Sequence, residues 1–240
     1  MYKIAHLYPK ELNLYGDKGN ILYLTYFLNQ IGIKSEVTDI GLKTNITEDF
    51  DFIFSGGGPD SLQNLVYKDF LTKKDFLIKH IEMNKPSVFV CGSFQLLGKY
   101  YLNSKNEKVP GLGIFNFYTQ SPLNQNKRIV GNTYFKFKES FFGNTVVGFE
   151  NHNGRTYLED KLTPLGESFS KDSGNNDFDK GEGLLYKKTL GTYLHGPLFV
   201  KNPNILEFLL KDLFIRQKNL DLKTFYPEFV AHQNVLNKKF

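Results

Sequence analysis

The segment SVFVCGSFQLLG, residues 87–98, contains a short apolar strand, a sharp turn and the start of a helix. Cys91 lies at the turn, directly after the apolar residues and directly before Gly92, where a helical pattern begins. This order is typical of a nucleophile elbow, which exposes a reactive side chain at the carboxyl end of a parallel strand. The segment therefore predicts an α/β fold with a functional cysteine.

A lone cysteine at the end of a core strand is more often a buried structural residue than a nucleophile. Two features favour the nucleophile here. Gly92 permits a tight turn beside Cys91, and the start of a helix offers positive potential and free N–H groups that activate a thiol and hold an oxyanion. Ligands also bind at this edge of parallel sheets. We predict Cys91 as the nucleophile and the Gly92 N–H as an oxyanion donor.

Strand and helix patterns alternate on the amino-terminal side of the elbow, which predicts a mostly parallel sheet with helices on both faces. Beyond Gly111 the pattern predicts added, partly antiparallel strands, then a last amphipathic helix and a tail that is a helix or a surface arm. We predict one domain over residues 1–218 and an extension over 219–240. The expected strands are 4–7, 33–40, 51–55, 87–90, 127–137, 145–150, 183–187 and 190–194, and the expected helices are 20–31, 61–70, 73–83 and 203–217.

The composition is that of an ordinary globular protein, with 240 residues, 40% of them hydrophobic. The single cysteine excludes an intrachain disulfide and a zinc site of several thiolates, and we predict no metal. No apolar run approaches the roughly 20 residues that cross a bilayer, so we predict no transmembrane segment and a cytoplasmic location. The net charge of +5 is spread without a basic stripe, which argues against nucleic-acid binding.

A glycine cluster and five histidines complete the catalytic prediction. The motif SGGGPD at residues 55–60 follows a neighbouring strand, so the N–H of Gly57 or Gly58 is predicted to face the same oxyanion. His195 ends a strand and precedes a Gly-Pro turn, which makes it the predicted general base. His152 is the second candidate for the base, and its alternative role is to line the substrate pocket. Of the remaining histidines, His6 ends the first predicted strand and is assigned a structural role there, and His80 and His232 are predicted at the surface.

Three motifs in this order, SGGGPD, CGSFQLLG and GTYLHGP, resemble the class I glutamine amidotransferases, in which a Cys-His pair hydrolyses glutamine. The motifs YLHG and GFENHNG are similar to the cobyric-acid-synthase-like branch. HLYP at residues 6–9 and NLYGDKGN at 13–20 are similar to the glutaminase subunits of lipid II isoglutaminyl synthases. The resemblance extends to about residue 215 and implies a flavodoxin-like fold.

By matching position, the resemblance implies Cys91 as nucleophile, His195 as base and Gly92 as oxyanion donor. It also implies that Gln95 and Arg128 contact L-glutamine. The role of Arg128 agrees with its chemistry, because a planar guanidinium binds the α-carboxylate of an amino acid through two parallel hydrogen bonds.

The sequence departs from the family pattern at two positions. Ser93 stands two residues after the cysteine, where the class has glycine. Pro197 stands two residues after His195, where the class generally has the glutamate that orients the imidazole. The orienting acid must then come from elsewhere in the fold, from a partner chain, or be absent. Within this chain, Glu150 or a backbone carbonyl is a possible source.

The leading hypothesis is a glutaminase that supplies ammonia to a MurT-like synthetase subunit in a heterodimer, which amidates the D-glutamate α-carboxyl of lipid II. No cofactor is expected in this chain. A P-loop, which binds ATP, has four residues between its first glycine and its Gly-Lys pair, whereas five residues separate Gly92 from Gly98-Lys99. ATP and Mg are therefore expected on the partner. The complex is expected at the inner face of the membrane. The alternatives are a stand-alone cysteine amidohydrolase and an inactive regulatory or scaffold homologue, which Pro197 favours.

Overall fold

The computed structural model describes residues 1–122, 128–137, 143–169, 172–216 and 226–237, which contain fifteen strands and seven α-helices. The strands are β1 Tyr2–Leu7, β2 Ser35–Ile40, β3 Phe52–Ser55, β4 Ser87–Val90, β5 Tyr100–Leu102, β6 Lys108–Pro110, β7 Phe117–Gln120, β8 Ile129–Phe137, β9 Thr145–His152, β10 Arg155–Leu158, β11 Gly166–Ser168, β12 Gly181–Glu182, β13 Leu184–Tyr186, β14 Thr189–Thr192 and β15 Leu194–His195. The helices are α1 Gly19–Gln30, α2 Asp60–Thr72, α3 Lys74–Glu82, α4 Gly92–Leu96, α5 Leu198–Lys201, α6 Pro203–Arg216 and α7 Tyr226–Asn237.

Six strands form the central sheet in the order β13–β14–β4–β3–β1–β2. All neighbours in this sheet run parallel except β13 and β14. Every residue of β3, β4 and β14 is buried, as expected for strands that are covered on both faces. The predicted α/β fold with a mostly parallel sheet is therefore confirmed.

Two smaller sheets join the central one. A five-stranded sheet has the order β12–β11–β8–β9–β15, and a four-stranded sheet has the order β10–β7–β5–β6. The predicted strands near 127–137 and 145–150 are β8 and β9, which pair antiparallel, although residue 127 lies outside the described residues. The prediction that residues 190–194 belong to the added strands is wrong for β14. That strand is a parallel member of the central sheet, and its four buried residues match the continuous burial of such strands.

The sheet register places the predicted motifs at one edge. Ser55, the last residue of β3, lies beside Phe89, and Thr192 at the end of β14 lies beside Val90. The chain therefore leaves β3, β4 and β14 in the same direction and at nearly the same level. The glycine cluster, the cysteine turn and the histidine strand all follow from this edge, as the sequence predicted.

Two histidines differ from their predicted environments. His6 is not one of them, because it lies next to the last residue of β1, with its ring buried and 3.4 Å from the Asp39 carboxylate. His80 is buried on the inner side of α3, where its Nε2 contacts the Pro86 carbonyl at 3.1 Å. Burial lowers the pKa of His80 to about 4. The surface prediction is wrong because His80 shares the buried face of α3 with Leu77 and Ile81, whereas its neighbour Lys79 is exposed.

The surface prediction for His232 is also wrong, because its ring is buried and its Nδ1 contacts the Lys201 carbonyl at 2.8 Å. His232 lies on α7, the helix that the structure shows within the predicted extension. The predicted boundary between residues 218 and 219 lies outside the described residues. Among the helices that the structure describes, none combines the length and apolar character needed to span a bilayer.

Candidate active site

Cys91 occupies the turn between β4 and α4 in a strained backbone conformation. Its φ of 50° and ψ of −106° lie in a region that non-glycine residues rarely adopt. Its N–H donates to the Thr192 carbonyl on β14 at 2.8 Å, and the residue is only 9% exposed. The structure therefore contains the predicted elbow, which presents the sulfur beside the start of α4 at Gly92.

Ser93 links this turn to the neighbouring strand β3 by hydrogen bonds. Its hydroxyl accepts the Val90 N–H at 2.9 Å and donates to the Ser55 carbonyl at 2.9 Å. A glycine at this position makes neither bond. The departure from the family pattern at Ser93 therefore adds a link between the ends of β3 and β4.

His195 is oriented by a carboxylate from the amino-terminal part of the chain. Its Nδ1 lies 3.2 Å from Oδ2 of Asp17 and 3.3 Å from Oδ1, and both side chains are buried. Asp17 precedes the histidine by 178 residues. The missing acceptor implied by Pro197 therefore comes from elsewhere in the fold, and the suggestion of Glu150 is wrong.

The Asp17 carboxylate is itself held by backbone groups. Its Oδ2 accepts the Gly57 N–H at 2.7 Å, and its Oδ1 accepts the Gly196 N–H at 3.2 Å. A buried carboxylate needs such donors to compensate for its lost hydration. The two amides fix the plane of the carboxylate, so the position of the His195 ring is fixed as well.

The electrostatics of the site favour a protonated imidazole at His195. Burial by itself lowers the pKa of His195. The negative charge of a Cys91 thiolate, the hydrogen bond to Asp17 and the Asp17 charge outweigh that effect and raise the pKa of His195 to about 10. An imidazolium at this place can give a proton to a leaving group.

The three glycines of residues 56–58 are required by close packing. A Cβ on Gly57 would lie 2.5 Å from Cε1 of His195 and 3.1 Å from Cβ of Cys91. Cβ atoms on Gly56 and Gly58 would lie 2.4 Å from atoms of Leu12. The prediction of Gly57 as an oxyanion donor is wrong, because its N–H donates to Asp17. The oxyanion role stays a prediction for Gly58 and Gly92.

The predicted substrate residues share one cavity with Cys91 and His195. Its volume is about 310 Å³, which is enough for an amino-acid side chain. A larger, mostly apolar cavity of about 470 Å³ beside α5 and α7 contains none of the predicted site residues. The smaller cavity is lined by Cys91, His195, Gln95, Arg128, His152 and Gly58, among others.

Tyr193 contacts two of the residues that line this cavity, Gln95 and His152. Its hydroxyl accepts a hydrogen bond from Nε2 of Gln95 at 3.2 Å and contacts the Thr156 hydroxyl at 2.6 Å. The ring of His152 stacks on Tyr193 at 3.7 Å, and its Nδ1 donates to the Gly154 carbonyl at 2.8 Å. Burial lowers the pKa of His152 to about 3, so its ring is a neutral part of the wall.

Residues 3–203 match the CobB/CobQ-like glutamine amidotransferase domain. The match covers most of the chain and includes the elbow, the histidine strand and Asp17. The chain belongs to this family. The fold is therefore that of a glutamine amidotransferase.

Two curated relatives of this amidotransferase carry the same description, the GatD subunit of glutamine-hydrolysing lipid II isoglutaminyl synthase. The protein of Streptococcus pneumoniae is 36% identical over 238 residues, which cover 98% of this chain and 87% of the relative. The protein of Staphylococcus aureus is 42% identical, over 87% of this chain and 82% of the relative. A cobyric acid synthase of Carboxydothermus hydrogenoformans is 27% identical, and only 37% of its length is matched.

Solved structures agree on the fold of the amidotransferase. The PurLQS structure from Thermotoga maritima superimposes with a TM-score of 0.61 at 15% identity, over 88% of this chain and 99% of the other. The glutaminase domain of Trypanosoma brucei CTPS with bound acivicin has a TM-score of 0.55 at 15% identity, over 92% of this chain and 96% of the other. These likenesses support the class I amidotransferase fold.

Asp17 is the functional residue that motif analysis of the amidotransferase missed. It belongs to the segment NLYGDKGN, which the sequence linked to the family without a physical role. The structure supplies that role. Asn20 donates to the Gly196 carbonyl at 3.4 Å and accepts the Phe199 N–H at 3.1 Å, and a Cβ on Gly19 would lie 3.0 Å from Pro197. The segment is therefore shaped to pack against the residues that follow the base.

Glu150 is buried on β9, away from the imidazole that it was suggested to orient. Its carboxylate accepts the Gly174 N–H at 3.1 and 3.2 Å and lies 4.0 Å from Nε2 of His152. Burial, reinforced by the negative charge of Glu182, raises the pKa of Glu150 to about 8. At neutral pH the side chain is thus mostly protonated.

This pKa shift predicts a pH-dependent difference in stability between Glu150→Gln and the wild type. Between the unfolded pKa near 4.5 and the folded pKa near 8, the folded wild type holds a proton that the unfolded chain releases. Wild-type stability therefore falls as the pH rises through this window. Glutamine resembles the protonated acid, so we expect the melting temperature of the variant, relative to wild type, to increase from pH 5 to pH 8. A pH-independent difference would contradict the shift.

Gly57→Ala is expected to lower kcat for glutamine hydrolysis at least about a hundredfold. The new Cβ forces the His195 ring to move, and a displacement of about 1 Å at a catalytic group has a cost of this size. The matched control is Gly41→Ala, because nothing lies within 4 Å of a Cβ at that glycine. Steady-state kinetics test the prediction, and near-normal turnover in Gly57→Ala would show that the ring does not need its present position.

Proposed function

We propose that this chain is a glutaminase subunit that hydrolyses L-glutamine to glutamate and ammonia by a Cys91–His195–Asp17 mechanism. The observation that carries the proposal is the hydrogen bond between Asp17 and His195 at the cavity that Cys91 and Arg128 also line. A nucleophile, a base and an orienting acid in this order are the elements of covalent amide hydrolysis.

The chemistry begins with attack of the Cys91 thiolate on the side-chain amide carbon of glutamine. The N–H groups of Gly92 and Gly58 are proposed to stabilise the resulting oxyanion. The His195 imidazolium then gives its proton to the amide nitrogen, and ammonia leaves a thioester on Cys91. His195 next takes a proton from water, the hydroxide attacks the thioester, and glutamate is released with regeneration of the thiolate.

We further propose that the ammonia is used by a MurT-like, Mur-ligase-like synthetase in a heterodimer, for amidation of the D-glutamate α-carboxyl of lipid II. Support comes from the two relatives described as subunits of lipid II isoglutaminyl synthase, which this chain matches over most of their length. ATP and Mg would be bound by the synthetase. The complex would act on its lipid-linked substrate at the inner face of the membrane.

The complete Asp17–His195 pair supports an active enzyme over the inactive regulatory or scaffold alternative. The main argument for that alternative was Pro197, and Asp17 supplies the acceptor that the proline lacks. A stand-alone amidohydrolase remains the second candidate, because the catalytic residues alone do not choose the acceptor of the ammonia.

The test combines the purified chain with the synthetase encoded by the same organism. We expect ammonia release from glutamine and, with ATP and lipid II present, transfer of the glutamine amide nitrogen to the stem peptide, followed with ¹⁵N-labelled glutamine. The synthetase alone with free ammonium salts is the control. Glutamine hydrolysis without any transfer would favour the stand-alone amidohydrolase.

A further inference from the structure

Three residues that line the active-site cavity form a hydrogen-bonded group, which we call the strap. It consists of Arg128, Asn151 and Tyr15, which all line the cavity. Nε of Arg128 donates to Oδ1 of Asn151, and Nη2 donates to the Asn151 carbonyl at 3.1 Å. Nδ2 of Asn151 donates to the Tyr15 hydroxyl at 2.6 Å. The strap therefore connects three residues that are distant in sequence and line the same cavity.

Asn151 holds Arg128 in a defined orientation. Its side-chain and backbone oxygens occupy the Nε–Nη2 side of the guanidinium. The terminal Nη1–Nη2 side has no hydrogen bond to the described residues. Two parallel N–H groups on that side match the two oxygens of a carboxylate. An exposed arginine is otherwise free to adopt many rotamers, so the asparagine prepares it for one geometry of binding.

The other end of the strap reaches the catalytic base. The Tyr15 ring packs edge-on against His195 at 4.9 Å and against Phe149 at 6.0 Å. The backbone of Tyr15 has a φ of 53°, which is uncommon for a residue with a side chain. Tyr15 also lies two residues before Asp17, in the turn Leu14–Gly16. Contacts of its ring and hydroxyl therefore help to hold the turn that presents Asp17.

We propose that Asn151 is a positioning residue for substrate recognition. It fixes Arg128 to receive the α-carboxylate of glutamine, and its bond to Tyr15 ties this carboxylate subsite to the turn that holds Asp17 against His195. The inference rests on the proposed glutaminase function. The preference for a substrate with a free α-carboxylate is thus assigned to the strap. Arg128 binds the substrate, and Asn151 and Tyr15 act through Arg128.

The test compares glutamine with its α-methyl ester, which keeps the reacting amide and masks the carboxylate. For Asn151→Ala we expect KM for glutamine to rise about tenfold or more, because hydrogen bonds to charged groups have effects of this size. The kcat/KM for the ester should remain within about twofold, so the preference for glutamine falls. Tyr15→Phe removes only the neutral hydrogen bond and should lower the preference by about threefold.

A double-mutant cycle tests whether Asn151 acts through Arg128. Arg128→Ala should remove most of the preference, and adding Asn151→Ala should have little further effect, since interacting residues are not additive. The matched control is Asn132→Ala, on the strand beside Asn151 but outside the cavity lining. Its preference should equal that of the wild type. Melting temperatures of all variants report whether the fold is intact.

Several outcomes would overturn the inference. An Asn151→Ala variant that loses activity equally on both substrates has a structural defect and no recognition defect. Additive effects of Arg128→Ala and Asn151→Ala would show that the two residues act separately. If the wild type is active and Asn151→Ala keeps its preference, only this inference fails. If the wild type hydrolyses neither amide, with or without a synthetase, the proposed function fails and this inference fails with it.

Discussion

Cys91→Ala is expected to abolish glutamine hydrolysis while leaving the chain folded. The sulfur is the only thiol in the sequence, and the covalent route has no substitute for it. The alanine side chain fits where the cysteine Cβ already lies, so the elbow keeps its backbone. We expect ammonia release to fall to the level of a reaction without enzyme, measured together with the melting temperature.

Cys91→Ser is the informative companion to this variant. A serine hydroxyl has nearly the same shape, but it is far less ionised than a thiol and does not form an ion pair with His195 at neutral pH. Its activity should therefore also be lost. An electrophilic glutamine analogue should label the wild type at Cys91 and neither variant. Hydrolysis near the wild-type level in Cys91→Ala would remove this residue from the mechanism.

The elbow was predictable because all of its determinants lie within twelve residues, from Ser87 to Gly98. A short apolar strand, a cysteine and a glycine before a helix are local signals. The approach of His195 to the same edge followed from a second local signal, a strand end before a Gly-Pro turn. The register of parallel strands then brings such ends together without further information.

Asp17 could not be assigned in this way, because its contact with His195 joins positions 178 residues apart. The acid lies in a turn with no hydrophobic period, and nothing in that turn identifies the residue that it faces. Pro197 indicated only that the usual acid was missing. Glu150 is only one possible source of the acid in the sequence, and the structure shows that its carboxylate accepts the Gly174 N–H.

The role of Gly57 shows a second limit of sequence reasoning. A glycine cluster after a strand indicates close approach or an exposed N–H, and the sequence does not distinguish the two. The structure shows that close approach to His195 and Cys91 excludes a side chain, while the N–H binds Asp17. The buried side of α3 is a similar case, because the charge of neighbouring residues does not reveal which side of a helix His80 occupies.

Asp17→Asn is expected to lower kcat for glutamine hydrolysis by about 10³ to 10⁴, the range found when an orienting acid of a catalytic triad is replaced by its amide. Each carboxylate oxygen of Asp17 accepts one backbone N–H, from Gly57 or Gly196, and each lies 3.2–3.3 Å from Nδ1 of His195. The NH₂ group of asparagine replaces one of these oxygens, so a donor then faces Nδ1. Nδ1 then becomes an acceptor, and the imidazolium loses the carboxylate that helps to raise its pKa.

The measurement compares kcat of the isolated Asp17→Asn variant with that of the wild type and of Glu150→Gln. The Glu150→Gln variant is the control, because Glu150 is also a buried carboxylate but does not hydrogen-bond His195. A specific loss in Asp17→Asn places the orienting acid in this chain. Addition of the synthetase should then leave the ratio of variant to wild-type activity unchanged, because the partner would have no acid to supply. If the isolated wild type is nearly inactive and the synthetase restores Asp17→Asn to the wild-type level, the orienting acid comes from the partner. The contact between Asp17 and His195 would then serve only the resting subunit.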